Sequence, residues 1–140
     1  MKSLRVLMIA IICLGVTSCV NAQFRKTVKG DGNVVKKERT ATSFDGLRVS
    51  TGIDVYLKQG DKESITVEAD ENLHEYIVTE VRGGVLNVYT DANIREAERK
   101  RVYVTMKHVN SVRTTSAGDV VGQTPVKTDR LELSASSAGD

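Results

Sequence analysis

Residues 114–120 read TTSAGDV and residues 136–140 read SSAGD, so the tetrapeptide Ser-Ala-Gly-Asp occurs twice with a spacing of 21 residues. A looser relative, VSTGIDV, stands at residues 49–55, where small residues again lead to Asp and then to Val. A period near 20 residues that returns a strand, a corner of small residues and another strand is typical of β-solenoid coils. The repeat therefore predicts an all-β fold of the parallel β-helix (β-solenoid) type.

The strands of this fold are predicted from alternating hydrophobicity. Apolar and polar residues alternate at residues 47–50, 53–58, 65–70, 102–107 and 131–135. A period of two is typical of strands that bury one face, so Leu131 and Leu133 are expected to point into the core. Residues 70–77 predict one helical turn, which Asp70 would cap through its side chain.

The corners between strands are predicted to be structural. In stacked coils, Gly118 and Gly139 would occupy the same strained position, and Asp119 would lie beside Asp140. Gly52 and Asp54 form the corresponding corner of residues 49–55. A ladder of carboxylates could bind calcium, but an aspartate that bonds its own backbone in a turn is the interpretation we favour. We therefore expect no metal ion and no cofactor.

The N-terminus has the pattern of an export signal. Two basic residues precede an apolar run at residues 6–16, and small residues follow. We expect a signal peptide over residues 1–22 with cleavage before Gln23. The alternative is a lipobox, in which Cys19 would become a lipid-bearing N-terminus and anchor the chain. Residues 23–43 are polar and predict a mobile lead-in or a single edge strand. Export places the protein in the periplasm, at the outer membrane or on the cell surface.

The charge of the exported chain excludes one class of partner. Lys2 and Arg5 account for the whole excess of 20 basic over 18 acidic residues, so the chain after residue 22 carries no net charge. Binding to nucleic acid through a basic surface is therefore not expected. The only cysteines are Cys13 and Cys19, so no disulfide is expected after cleavage, and no later stretch is long enough to span a membrane.

The sequence contains no combination of residues that by itself indicates a catalytic site. The two histidines, His74 and His108, lack zinc-ligand spacing, and no nucleophile elbow is present. A β-helical polysaccharide enzyme would need a base or paired carboxylates. Lys107 with Asp119, or Asp54 with Glu68, could supply these catalytic groups if the fold brought each pair together. We predict a non-enzymatic protein without catalytic residues.

Several spaced motifs resemble one known family. The stretches STGIDVYLKQGD, VEADENLHEYI and GGVLNVYT, followed by the Ser-Ala-Gly-Asp corners, make residues 44–140 resemble the head domain of auto-transporter adhesins called the GIN domain. The Gly-Ile-Asn signature of that family stands here as Gly52-Ile53-Asp54. The resemblance implies an exported protein of Bacteroidetes-type bacteria and a β-helix related to pectin lyases, which this chain would contain incompletely at its C-terminal end. It implies adhesion and no catalytic residues.

The expected function is therefore recognition at the cell envelope or cell surface. The partner would be a glycan or a protein, on a host or on the bacterium itself. The predicted contact face consists of outward-pointing strand residues, namely Tyr56, Lys58, Tyr103 and Thr105. A self-assembling structural protein, joined as a homo-oligomer through an open sheet edge, is the alternative. A polysaccharide-acting enzyme is the third and weakest hypothesis.

Overall fold

The computed structural model describes residues 25–136. The strands are β1 (Thr27–Lys29), β2 (Val34–Arg39), β3 (Gly46–Val49), β4 (Asp54–Gln59), β5 (Ser64–Asp70), β6 (Ile77–Arg82), β7 (Val85–Thr90), β8 (Asn93–Glu96), β9 (Lys100–Met106), β10 (Ser111–Thr115), β11 (Asp119–Gly122) and β12 (Glu132–Ser136). A 3-10 helix, Glu71–Leu73, follows β5. No helix within this part of the chain has the length and apolar character needed to span a membrane.

The strands form two five-stranded sheets and one small pair. Sheet I has the order β12-β10-β3-β7-β6, and sheet II has the order β11-β4-β9-β5-β2. Strands β1 and β8 pair separately. The all-β prediction agrees with this architecture, but the predicted parallel β-helix is wrong. In a β-helix every neighbour runs parallel, whereas β6 with β7, β5 with β9 and β2 with β5 are antiparallel. Both sheets are therefore mixed.

A tight hairpin shows why the coils do not continue. Strands β6 and β7 are joined by Gly83 and Gly84 alone, with φ angles of 56° and 76°. Two successive residues with positive φ form the turn that suits the twist of an antiparallel hairpin. Such a turn returns the chain beside the strand it has just left. A parallel coil instead needs a connection that crosses to the opposite sheet.

One hydrophobic core lies between the inner faces of the two sheets. Sheet I contributes Leu47 and Leu86, and sheet II contributes Val55, Val67 and Val102, all at 1% exposure or less. Alternation along each strand sends these side chains inward and their neighbours to the outer face. The burial predicted for residues 47–57, 65–69 and 102–106 is therefore confirmed at the apolar positions, which belong to one cluster.

The two related corners of the sequence lie side by side. Val49 pairs with Thr114 at the end of one strand pair, and Asp54 pairs with Asp119 at the start of the next. The backbone N–H of Gly52 donates to the Ser116 carbonyl at 3.1 Å. The resemblance between residues 49–55 and 114–120 thus corresponds to equivalent crossings from sheet I to sheet II.

The core is less covered at β12 than the sequence predicts. Leu133 is in register with buried Val112 of β10, which in turn pairs with Leu47 of β3. It is nevertheless 69% exposed, and Leu131 is 39% exposed. The expected burial of these two leucines is wrong, because no described strand of sheet II extends beyond β11 to face β12. Homo-oligomerisation through this open edge stays a prediction.

Asp70 organises the loops at one end of the molecule. Its carboxylate is 1% exposed and accepts hydrogen bonds from the backbone N–H groups of Gly32, Glu98 and Arg99 at 2.9–3.2 Å. It makes no side-chain bond to the 3-10 helix, so the predicted capping role is wrong. A Cβ at Gly30 would collide with Oδ2 of Asp70, so glycine is needed there. Asp70 therefore holds together the loops after β1 and β8.

His74 is buried beneath β2. Its side chain is 4% exposed, and its Nε2 lies 3.1 Å from the carbonyl oxygen of Val35. Burial is the largest cause that lowers the pKa of His74, and the positive charges of Lys37 and Arg39 lower it further, against the opposing bond to Val35. The folded chain therefore contains a neutral imidazole.

The lowered pKa of His74 predicts a pH-dependent stability. A folded-state pKa below the unfolded value means that the unfolded chain binds the proton more readily. We expect the contribution of His74 to the free energy of unfolding to be complete above about pH 6.5 and to decrease as the pH drops below that value. Urea denaturation across this pH range should show a smaller loss of stability in His74→Gln than in the wild type. His108→Gln, at an exposed histidine, should behave as the wild type does, and equal slopes in all three proteins would contradict the account.

Candidate contact surface

The outer face of sheet II brings the predicted tyrosines together. Tyr56 of β4 and Tyr103 of β9 are register partners, and their rings stack with centroids 5.2 Å apart and planes inclined by 23°. Val121 of β11 continues this row on one side, next to Tyr56, and is 45% exposed. The row lies across the middle of the sheet and presents aromatic and apolar groups on a flat surface. We call it the tyrosine row.

Two cations lie close to the stacked rings. Lys36 Nζ lies 5.5 Å from the Tyr103 ring centroid, and the Arg101 guanidinium lies 5.6 Å from that of Tyr56. Each distance is within the range of a cation–π interaction. Each tyrosine ring therefore contacts the other ring and one cation.

Glu68 fixes the orientation of Tyr103. The tyrosine hydroxyl donates to Glu68 Oε2 at 2.9 Å, and Lys36 forms a salt bridge with the same carboxylate at 3.5 Å. The bond from Tyr103 is the largest cause that lowers the pKa of Glu68, and the positive charges of Lys36 and Arg101 add to it, while partial burial opposes it. Glu68 is therefore ionised at neutral pH, and the tyrosine is held in one position.

A second row, of mixed charge, runs beside the tyrosines. Register pairing across sheet II places these side chains in the order Asp119, Asp54, Arg101, Glu68 and Lys36. Both signs are present, so the surface has no single-sign field that would attract a simple polyanion. A partner that fits this row must present complementary charges at matching positions. We call the tyrosine row and this charged row together the candidate contact surface.

The other two predicted contact residues differ in access. Lys58 and Thr105 are register partners on the same face as the tyrosines. Lys58 is exposed, whereas Thr105 is only 8% exposed and lies beneath the turn that contains Gly60. The four predicted side chains therefore do share one face, but Thr105 has little surface to offer a partner.

The predicted corner residues play different parts from those expected. Gly52 has a φ of 63°, but the left-handed residues of the second corner are Ser116 and Ala117, both at 59°. Gly118 lies instead in a tightly packed position, because a Cβ there would lie 3.1 Å from Val49 Cγ1 and 3.3 Å from the Ile53 carbonyl oxygen. Asp54 and Asp119 lie side by side at the ends of the corners. Gly139, Asp140 and Cys19 lie outside the described residues.

The two residue pairs considered for catalysis are not brought together, whereas the Asp119–Asp140 ladder considered for calcium extends outside the described residues. Within residues 25–136, no group of three or more His, Cys, Asp or Glu side chains could hold a metal ion. Lys107 follows the end of β9, whereas Asp119 stands at the start of the parallel β11, so they lie roughly 20 Å apart. Arg101 stands in register between Asp54 and Glu68 and separates the two carboxylates.

Sequence reasoning missed the charged partners of the tyrosines. Arg101 shares the outward parity of Tyr103 along β9, so alternation alone could have assigned it to the same face. Glu68 likewise alternates with the buried residues Val67 and Ala69, so its outward direction was also predictable. The proximity of Lys36 and Glu68 to Tyr103 depends on the antiparallel pairing of β2 with β5 and of β5 with β9, which local sequence does not encode.

Comparison with protein families identifies relatives of the chain. The family described as "Putative auto-transporter adhesin, head GIN domain" matches residues 43–140, so the resemblance inferred from the motifs is confirmed. No curated protein matches the chain.

Several solved structures share the fold of this chain. A crystal structure of a putative adhesin from Parabacteroides merdae is 26% identical, with a TM-score of 0.71, over 79% of this chain and 47% of that one. A putative lipid binding protein from Parabacteroides distasonis is also 26% identical, with a TM-score of 0.71, over 79% and 49%. A putative adhesin from Bacteroides fragilis is 17% identical and shows the fold, with a TM-score of 0.73, over 79% and 52%. The chain spans about half the length of these relatives.

Proposed function

We propose an adhesive role for this protein, because the chain belongs to the head GIN domain family of auto-transporter adhesins. In this proposal the protein acts at the cell surface and binds its partner through the outer face of sheet II. The observation that supports this surface is the stacked pair Tyr56 and Tyr103, with Lys36 close to one ring and Arg101 close to the other.

The composition of the surface favours a protein as the partner. Tyrosine and arginine are enriched among the residues that contribute most to protein–protein binding, since they offer large contact areas with few rotatable bonds. Here their orientations are already fixed by stacking and by the hydrogen bond from Tyr103 to Glu68. Little side-chain entropy remains to be lost on binding, so more of the contact energy appears as affinity.

The same geometry makes stacking of a sugar on the rings less favourable. Each tyrosine covers one face of the other, and a cation lies 5.5 or 5.6 Å from the centre of each ring. A sugar that stacked on either ring would compete with that cation. The outer face of a sheet is also less enclosed than the concave sites in which small molecules usually bind. A glycan would therefore gain less from ring stacking and depend more on its hydroxyl groups and on the charged side chains.

The proposal is tested by binding of the purified protein to immobilised extracellular-matrix proteins and, in parallel, to a glycan array. We expect saturable binding to a protein of the panel. Tyr103→Ala should weaken that binding roughly 10-fold or more, as expected when a central aromatic residue is lost. Biolayer interferometry measures the dissociation constants of the wild type and the variant.

The chain offers a closely matched control. Tyr89 lies in sheet I and donates a hydrogen bond to Glu80 at 3.0 Å, as Tyr103 does to Glu68. Tyr89→Ala removes the same atoms and an equivalent bond from the other sheet, so it should bind as the wild type does. Equal losses in both variants, or binding to glycans alone, would overturn the proposed surface or the proposed partner.

A further inference from the structure

A separate cleft opens beside the corner at residues 50–54. It has a volume of about 580 Å³, and its polar lining consists of Arg25, Lys100, Asn93, Thr51 and Thr90. Two of these residues are basic and none is acidic. An oxyanion is the natural complement of such a lining, because charge-assisted hydrogen bonds from Arg and Lys to oxyanions are about twice as strong as neutral ones.

Lys100 stands at an unusual position in this cleft. It begins β9, and the residues that follow it at the same parity, Val102 and Val104, are buried in the core. Alternation therefore directs Lys100 toward the inner side of sheet II, opposite to Arg101 and the tyrosine row. Its ammonium lies 3.6 Å from the point where a Cβ of Gly52 would stand, so the cation sits over the corner backbone.

Neither basic residue of the cleft is neutralised by a described carboxylate. The salt bridges within residues 25–136 join Lys29 to Glu96, Lys36 to Glu68, Arg82 to Glu80 and Arg113 to Glu132, and none includes Arg25 or Lys100. The side chain of Asn93 forms no hydrogen bond within the same residues either, although its backbone N–H donates to Lys26. Three donor groups are therefore free to bind a ligand.

The base of the cleft is held rigidly. Thr51 has a φ of 64°, a backbone conformation that β-branched residues rarely adopt. Its hydroxyl accepts the backbone N–H of Thr90 at 2.7 Å, contacts the Thr90 hydroxyl at 3.1 Å and donates to the Ser50 carbonyl at 2.7 Å. Strained residues that are fixed by several bonds occur preferentially at functional sites. Buried Ala92 lines the same cleft.

We propose that this cleft binds an oxyanion, namely a carboxylate, sulfate or phosphate group. Lys100 and Arg25 supply the positive charge, and the Asn93 amide supplies a further donor. The site is distinct from the tyrosine row, and it is independent of the adhesive function proposed above.

The test is a titration of the purified protein with sodium sulfate at constant ionic strength, followed by two-dimensional amide NMR. We expect saturable shifts at the amides of Thr51, Thr90 and Asn93. Lys100→Gln should raise the dissociation constant roughly 10-fold or more, because it removes a charge-assisted hydrogen bond to the anion. Lys62→Gln, which removes the same charge from the exposed turn after β4, should change it less than about twofold.

A second cleft variant and two further ligands complete the experiment. Arg25→Gln changes an exposed side chain at the rim of the cleft, so it reports on the site even if Lys100→Gln destabilises the fold. Phosphate ions and vesicles containing phosphatidylglycerol distinguish a soluble oxyanion from a lipid headgroup. Binding of either, weakened by both cleft variants, supports the proposal. No saturable shift with any of these probes, or an equal effect of Lys62→Gln, would overturn it.

Discussion

Replacing Asp70 by asparagine is expected to lower the free energy of unfolding by about 2–4 kcal/mol at pH 7. The carboxylate is buried and accepts three backbone N–H groups, from Gly32, Glu98 and Arg99. Asparagine keeps the shape of the side chain but replaces one acceptor oxygen by a donor, which faces N–H groups that also donate. The variant loses the negative charge as well. Asp61→Asn, in the exposed turn after β4, should change the stability by less than about 0.5 kcal/mol.

The same carboxylate should make the stability depend on pH. Burial is the largest influence on the pKa of Asp70 and raises it, but the backbone bonds from Arg99, Gly32 and Glu98 together outweigh burial, so the pKa is lowered. A lowered pKa contributes stability above the unfolded value of about 3.9, and this stability is lost as the pH falls through the folded value. Urea unfolding at neutral and acid pH should show this loss in the wild type and a smaller one in Asp70→Asn. An equal loss in both proteins would contradict the assignment.

Leu47→Ala should cost about 3–5 kcal/mol, whereas Leu133→Ala should cost less than about 1 kcal/mol. The two leucines occupy the same register row of sheet I, separated only by Val112 of β10. Leu47 is 1% exposed in a central strand, and Leu133 is 69% exposed in the edge strand β12. The same substitution is therefore made at a buried position and at an exposed position of one sheet, so the difference in cost reports the difference in burial.

Chemical denaturation followed by circular dichroism measures both leucine variants under the same conditions. A large cost for Leu133→Ala would show that another chain, or a segment outside residues 25–136, covers β12 in solution. Concentration dependence of the midpoint would then separate a second chain from the protein's own segment. A small cost for Leu47→Ala would contradict the packing of the two sheets around one core.

The strand positions were predictable because burial on one face leaves a period of two in the sequence. Val55, Val67 and Val102 are buried where the alternation placed them. The same alternation does not distinguish parallel from antiparallel neighbours, and this is the reason the β-helix prediction failed. The hairpin signal was nevertheless present at Gly83-Gly84, where two adjacent glycines suit an antiparallel turn.

The contact surface was only partly predictable for a related reason. The alternation of side chains along each strand identified Tyr56 and Tyr103 as outward-facing, but their stacking depends on the register between β4 and β9. The roles of Lys36 and Glu68 depend on strands that are distant in the sequence. Asp70 was assigned to a helix cap from its local sequence, whereas its partners come from a loop 38 residues earlier and a loop 29 residues later in the chain. The pairing of strands that are distant in the sequence therefore determines contacts that local sequence patterns do not predict.

The most direct test of the proposed adhesive surface is hydroxyl-radical footprinting of the protein, free and bound to the matrix protein that retains it. The three tyrosines Tyr56, Tyr103 and Tyr89 are partly exposed and report in the same experiment. We expect the oxidation rates of Tyr56 and Tyr103 to fall severalfold on binding and the rate of Tyr89 to stay unchanged. Protection of Tyr89 with unaltered oxidation of Tyr56 and Tyr103 would place the contact on sheet I and contradict the account.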